Sequence, residues 1–474
     1  MHEELRRFLA YMKSAFSRQA THGWFVIVFV GFLVRTDTFG VSSIVRVLML
    51  APENYTCLLQ FFHSTAWTVE SVMTAWWDWL AARDVAYRQG GRLVLVGDHT
   101  KTPKDGRKMP AVTTLHQNSE TSAKPTFFRG HHWGCIGMLV QACDKFFAIG
   151  LWANIQEGLG KIANTKDAKQ PKTIRIVHMA QQATRAMGEK AYLVLDAYFA
   201  VGPVFQAAAE KCESDSHLVH VLTRAKKNVV AYLPAMSPKK RKRGRPRKYG
   251  KKLKLMKLFD SKAKAYQFQT ARVMVYDRPE RVRYLGLNLL WKPTKGMLRF
   301  ILVESSRGRM ILISSDPKLA SRTAIELYCR RVTIETMFDT LKNTLGAMAY
   351  HFWSQYLDPA SRRPKKNDQP NRYSEDINKT RNTLAAIEKF VNVQLLVLGM
   401  LQLIAKAYPA QVKAKANCWL RTVSTNTPSE FVTRIALSII IKSNLYSFGK
   451  DWITQLIRQK QNSPLNTGGY EDAA

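Results

Sequence analysis

The segment Tyr328–Lys342, YCRRVTIETMFDTLK, sets Tyr328, Arg331, Glu335 and Lys342 at offsets of three, seven and fourteen residues. On a single helix at roughly 100° per residue, these four side chains share an arc of about 60°. Leu327, Ile334, Phe338, Leu341 and Leu345 cluster about 90° further round and form a core-facing stripe. A carboxylate with a phenol, a guanidinium and an ammonium on its own face suits phosphodiester chemistry. In that reading Glu335 holds a metal ion while Tyr328, Arg331 and Lys342 grip backbone phosphates. An amphipathic helix with a solvated charged face has the same pattern, so the chemistry requires further acids.

Two further acids follow apolar runs. Arg92–Asp98 reads RLVLVGD, a short strand that is expected to end at Asp98 before the polar loop HTKTPKDGRK. Tyr192–Asp196 reads YLVLD, a second buried-type strand ending in Asp196. An acid closing an apolar strand needs a partner if buried, and strand ends of a parallel or mixed sheet are where ligands gather. Mg²⁺ takes hard oxygen ligands, and two ions about 3.5–4 Å apart serve both the attacking and the leaving oxygen of a displacement. A turn or N-cap role is the alternative for either aspartate alone.

The order Asp98, Asp196, Glu335, with Tyr-x2-Arg-x3-Glu-x6-Lys around the glutamate, resembles the DDE transposases of bacterial insertion sequences. Within these it is similar to the cut-and-paste group with the YREK signature, over roughly residues 92–353. The resemblance implies an RNase-H-like α/β core and a β-rich insertion before the last catalytic helix, while the N- and C-terminal regions read as helical from their own apolar spacing. It implies Mg²⁺, with Mn²⁺ substituting, held by Asp98, Asp196 and Glu335. It also implies double-stranded DNA, both element ends and target, as substrate, and a homodimer in the synaptic complex. Some relatives form a hairpin at the cut and need an aromatic platform for a flipped base. Trp291 and Trp353 are the candidates, and each has a core role as its alternative. No helix-turn-helix is identified in the first 90 residues, so the end-binding element is unassigned.

The elements around the acids fit this layout. Gly134–Cys143 and Phe146–Ile155 read as strands joined by a turn at Asp144-Lys145. Thr173–Met187 has helical spacing, Val201–Lys211 reads as a short helix, and His217–Arg224 as a fifth strand. Roughly 95 residues then precede the Glu335 helix, far beyond an ordinary connection. They contain β-rich runs at Ala263–Tyr276, Arg283–Trp291 and Met297–Ser314. Ser321 is expected to cap the catalytic helix.

The expected organisation is a helical region at 1–90, the first part of the core at 91–226 and an inserted β-subdomain at 227–315. The catalytic helix follows at 316–355, then a polar linker at 356–379, a helical, dimerising region at 380–459 and a disordered tail at 460–474. The apolar run Trp24–Val34 (WFVIVFVGFLV) falls short of the about 20 residues needed to span a bilayer and reads as a buried element.

Lys and Arg number 72 against 35 acids, a net charge of +37. Self-repulsion on that scale is unfavourable without a polyanionic partner, and an RNA-binding protein is the alternative from charge alone. The densest run, Lys239–Lys252, reads KKRKRGRPRKYGKK. Its centre, Arg243-Gly244-Arg245-Pro246, resembles an AT-hook whose arginines enter the minor groove. Arg247 and Lys248 would neutralise phosphates beside it. Six scattered cysteines, without CxxC or His/Cys pairing, point to a reducing cytoplasm and no structural zinc; the resemblance makes that cytoplasm bacterial. His131 and His132 are expected on opposite strand faces, not as a metal pair. An inactive, DNA-binding descendant and an RNase-H-like nuclease are the competing readings. All three acids are present, against the first, and the YREK helix with its long insertion argues against the second.

Overall fold

The computed structural model describes residues 1–117, 126–143, 145–163, 165–209, 218–235, 247–360, 376–416, 427–447 and 449–461. Asp144 of the expected turn, Arg243 and Arg245 of the basic run, most of the 356–379 segment and the tail beyond Gln461 lie outside them.

The chain opens with α1 (His2–Tyr11), α2 (Gln19–Val34), α3 (Ser42–Leu48), α4 (Asn54–His63) and α5 (Val69–Ala81). The central elements are β1 (Arg88–Gln89), β2 (Arg92–Pro103), β3 (Thr113–His116), β4 (Phe127–Ala142), β5 (Lys145–Ile155), α6 (Lys172–Ala186), β6 (Ala191–Leu195), α7 (Gly202–Ala208) and β7 (Val219–Arg224). Then come β8 (Val230–Pro234), β9 (Tyr249–Lys254), β10 (Gln269–Val275), β11 (Arg278–Trp291), β12 (Gly296–Ser305) and β13 (Gly308–Ser314). The helices α8 (Ser321–Arg330), α9 (Val332–Asp339), α10 (Ile377–Ala407), α11 (Pro409–Lys415), α12 (Glu430–Tyr446) and α13 (Trp452–Arg458) complete the described fold.

β5, β4 and β2 are antiparallel neighbours, and β6 and β7 follow parallel to β2. This order, with α6 and α7 as the crossovers, is an RNase-H-like α/β core. All five residues of β6 are buried, as an unbroken apolar run requires when helices such as α6 and α8 pack against the strand. The insertion does not form a sheet of its own. β13 pairs antiparallel with β7, Ile313 opposite Thr223, and β12 and β11 continue the same sheet outward. Of the run Ala263–Tyr276 only Gln269–Val275 is strand, because a 3₁₀ turn occupies Lys264–Tyr266.

The outer strand β5 would expose unpaired backbone groups, and helices cover them. The indoles of Trp76 and Trp77 donate to the carbonyls of Gly150 and Leu151, each at 2.9 Å. From α10, Asn392 bonds both the N–H and the carbonyl of Ala153, at 3.0 and 2.7 Å, and Glu388 accepts from the Ile155 N–H at 2.9 Å. Gly150 permits this approach, since a Cβ there would lie 2.1 Å from Leu395.

Trp24–Val34 is part of α2, buried from Phe25 to Val34, so it is a core helix. One described helix, Ile377–Ala407, is long and apolar enough to cross a membrane, but 83% of its apolar window is buried inside the fold. Cys57, Cys135, Cys143 and Cys329 are free thiols.

Candidate active site

β2 does not stop at Asp98. It runs on to Pro103, with Asp98 opposite Cys135 and Lys101 opposite His132 on β4. The polar second half is strand because β4 supplies a pairing partner along its whole length. Asp196 does end its strand, and its carboxylate accepts from the Tyr198 N–H at 2.9 Å, capping a 3₁₀ turn. The parallel register pairs Val96 with Val194, and each acid lies two residues beyond that pair. Both carboxylates therefore emerge at the same level of neighbouring strands.

The segment carrying Glu335 is not one regular helix. α8 ends at Arg330, and the Arg331 N–H bonds Tyr328 O at 3.2 Å, a tighter turn. After α9 the chain widens into a π-turn over Thr340–Thr344, with Leu345 N–H bonded to Thr340 O at 3.0 Å. The two irregularities change the winding in opposite senses. Ser321 is not the N-cap either: Ala320 holds that position without a side-chain bond, and the Ser321 hydroxyl instead accepts from Arg299 at 3.3 Å.

Arg331 joins the acids. Its Nη1 donates to Asp98 Oδ2 at 3.1 Å and its Nη2 to Glu335 Oε1 at 2.5 Å. Asp98 and Arg331 are largely buried, with side chains 18% and 16% exposed, whereas Glu335 is 51% exposed. Burial and then the charge of Asp196 push the Asp98 carboxyl up to about 7, against the pull of Arg331. Burial also raises Asp196. Arg331 and Glu335 thus meet the acid pair, but the other two YREK-pattern residues sit differently from the sequence expectation. Tyr328 is 6% exposed, inside the core. Lys342 spends its ammonium on Thr100 Oγ1 at 2.5 Å and Lys101 O at 3.1 Å, tying the π-turn to β2.

Two buried arginines fasten the far end of this segment. Arg35, following α2, donates to Leu345 O at 2.5 Å, Gly346 O at 3.4 Å and Gln394 Oε1 at 2.7 Å. Arg434 of α12 donates to Thr344 O at 2.6 Å and Leu33 O at 3.0 Å, and also to Arg35 O. Burial lowers Arg35 to about 9, helped by Arg434, and burial lowers Arg434 to about 10. Cations at a helix C-terminus meet its carbonyls and its dipole.

A cleft of about 1110 Å³ opens beside the acids, lined by Asp98, His99, Lys101, Asp196, Tyr198 and Lys342, among others. Its remaining polar wall was not legible in the sequence. His132 and Lys172 both pair with Glu157, His132 Nδ1 lying 3.1 Å from the carboxylate. The His132 bond, with the Lys172 bond beside it, outweighs burial and holds Glu157 down at about 2. Glu157 and Lys172 follow a strand and open a helix with no motif around them. The neighbouring His131 points the other way, bonding Tyr350 Oη at 2.6 Å and Pro110 O at 2.8 Å in the core.

Among the described residues no three His, Cys, Asp or Glu side chains form a ready metal cage, because Arg331 stands between Asp98 and Glu335. The donor set nonetheless fits a hard divalent cation. It offers carboxylate oxygens only, with Asp98 and Asp196 level on neighbouring strands.

A pH test follows. With a folded value of about 7 against an ordinary 3.8, native Asp98 keeps a proton that the unfolded chain has released. Stability from this group is therefore lost as pH rises between those values. In chelator, Asp98→Asn is expected to be more stable than the parent above about pH 7 and equal to it near pH 4. Urea midpoints at the two ends check this. A parent as stable as the variant at high pH overturns it.

Trp291 is 7% exposed and packs edge-on to Phe205 at 5.5 Å, a core residue. Trp353 is 63% exposed, beyond the π-turn. Arg247 and Lys248 are described, and Lys248 donates to the carbonyl of Lys295.

Residues 11–278 match the family described as DDE superfamily endonuclease, a span that holds Asp98 and Asp196 but ends before Glu335. No curated protein matches the chain. Enzymes of this family act on DNA and use divalent metal ions. With more than half of its length inside that match and an RNase-H-like core around the two aspartates, the chain belongs to the DDE superfamily endonucleases.

Proposed function

We propose that this endonuclease is a cut-and-paste DNA transposase of the bacterial insertion-sequence type with the YREK signature. It cleaves at the inverted-repeat ends of its own element and transfers the freed 3′ ends into target DNA. The observation that carries the reading is the Arg331 bridge between Asp98 and Glu335, with Asp196 level with Asp98 on the next strand. Asp98, Asp196 and Glu335 are the residues that would hold Mg²⁺. When bound there, the ion supplies charge neutralisation at the scissile phosphate and a stronger nucleophile.

The chain's own groups do the rest. Arg331 offers the planar fork that suits a phosphate. Lys342 and the Arg35–Arg434 pair hold the Glu335 segment at one angle to β2. The cationic residues Lys101 and Lys172 line the cleft along which a strand would run. Two ends must be brought together, so a homodimer is the working form, and the net charge of +37 suits a nucleoid-associated protein of the cytoplasm.

The test is cleavage of duplexes cut from the DNA flanking the gene, with Mg²⁺, Mn²⁺ or Ca²⁺. Nicks mapping to terminal inverted repeats, followed by joining to a second DNA, support transposition. Cutting without end preference or joining leaves a nuclease on this fold.

Of the two tryptophans, Trp353 is the exposed one and is the candidate to receive a flipped base if the second strand is cut through a hairpin. Its exposure makes Trp353→Ala structurally mild. The variant is expected to nick the first strand normally and to lower the second cleavage about tenfold or more, a loss of stacking worth 1–3 kcal/mol. Equal rates for both strands remove Trp353 from the reaction.

A further inference from the structure

The two guanidinium arms of Arg331 are divided between two carboxylates, Asp98 Oδ2 at 3.1 Å and Glu335 Oε1 at 2.5 Å. Those are oxygens of the acids that the proposed function assigns to the metal, and this inference rests on that assignment. A guanidinium stays charged in a protein, so it cannot give way to a divalent ion by losing a proton. Two cations drawn to one carboxylate pair repel each other. For the acids to turn fully to a metal, Arg331 must move to another anion.

A DNA backbone phosphate is the ligand that matches it. The planar fork forms two parallel charge-assisted bonds with a phosphate. In the DNA-free protein its arms are instead split between acids on different elements, β2 and α9. The side chain is 16% exposed and Glu335, its outer partner, is 51% exposed, so the solvent side of the pair is open to an incoming strand.

We infer that Arg331 is an exchangeable counter-ion: it neutralises Asp98 and Glu335 until a DNA phosphate draws it off, so that metal capture is coupled to DNA binding. The coupling is reciprocal, because a ligand that raises the affinity of another is itself bound more tightly by the same factor. The consequence is an enzyme that holds its metal weakly until substrate is in place.

The experiment is Mn²⁺ binding to the full chain, read as loss of the free-ion electron paramagnetic resonance signal, with and without a short mixed-sequence duplex. The same titration of Asp98→Asn with duplex supplies the Mn²⁺ held by DNA alone. The parent is expected to bind Mn²⁺ about tenfold or more tightly once duplex is present, within the usual range of coupling. Arg331→Gln, and Arg331→Met as a second variant, are expected to bind tightly without duplex and to gain little from it. A residue that merely supported the fold would lower metal affinity when removed, so the gain is diagnostic. Equal Mn²⁺ affinity of the parent and both Arg331 variants without DNA, with Asp98→Asn binding none, overturns the exchange and leaves the metal site standing. Parent-like binding by Asp98→Asn in the absence of duplex overturns the ligand assignment itself.

Discussion

Asp98→Asn, Asp196→Asn and Glu335→Gln are each expected to lower DNA nicking by about a thousandfold or more while the protein still folds and binds duplex. Each change keeps the side-chain shape and removes one charged oxygen ligand. Metal-derived stabilisation is worth several kcal/mol, and each 1.36 kcal/mol is a factor of ten in rate. Duplex affinity survives because it is spread over many phosphates on a chain with 72 Lys and Arg. The three differ in one respect that the structure makes visible. Asp98→Asn relieves a buried charge that Asp196 opposes, and Asp196→Asn relieves a carboxylate that burial also disfavours. These two variants therefore combine lost activity with gained stability at high pH, which the exposed Glu335 does not offer. Single-turnover nicking and duplex retention are the measurements. Near-normal nicking by one of them removes that residue from the site.

The second large effect lies away from the acids. Arg35→Ala strips partners from the carbonyl of Leu345, the hydroxyl of Ser43 and the Gln394 amide oxygen at once. Each buried acceptor left unpaired costs roughly 1–3 kcal/mol. Against this stands relief of the repulsion between Arg35 and Arg434, a single like-charge contact. The acceptors win, and the expected loss is about 3–5 kcal/mol, a large share of a typical total of about 5–15 kcal/mol. Arg35→Met fills the space yet leaves the same acceptors unpaired, so it should recover only part of the loss. Urea unfolding checks both, and a loss under about 1 kcal/mol for Arg35→Ala would sink the account. Where the variants remain folded, hydrogen exchange over residues 340–347 should quicken, because the end of the Glu335 segment has lost its anchor.

The residue pattern alone identified Asp98, Asp196 and Glu335 as the acids to be brought together. The strands carrying the aspartates are apolar runs, and burial of such runs is a local property of the chain. The same holds for the α2 core helix and for the long insertion, whose length and β-branched runs are visible without coordinates. The opposite facing of His131 and His132 follows from strand period alone.

Where the reading of residues departed from the structure, a distant partner decided the outcome. The stretch HTKTP after Asp98 has the composition of a loop, and it is strand because β4 pairs with it. The insertion joins the core sheet because β7 offers β13 an open edge, which no local pattern records. Tyr328 and Lys342 share a face with Glu335 on an ideal helix. A tightened turn at Arg331 and a widened one after Thr340 change the winding between them, and the core and β2 take both side chains. The pairings of Arg331 with Asp98, across 233 residues, and of Arg434 with Arg35, across 399, belong to the folded chain. Periodicity states which face of an element is buried; which charge meets which is set only when separate elements close on one another, and desolvation then makes each unpaired choice costly.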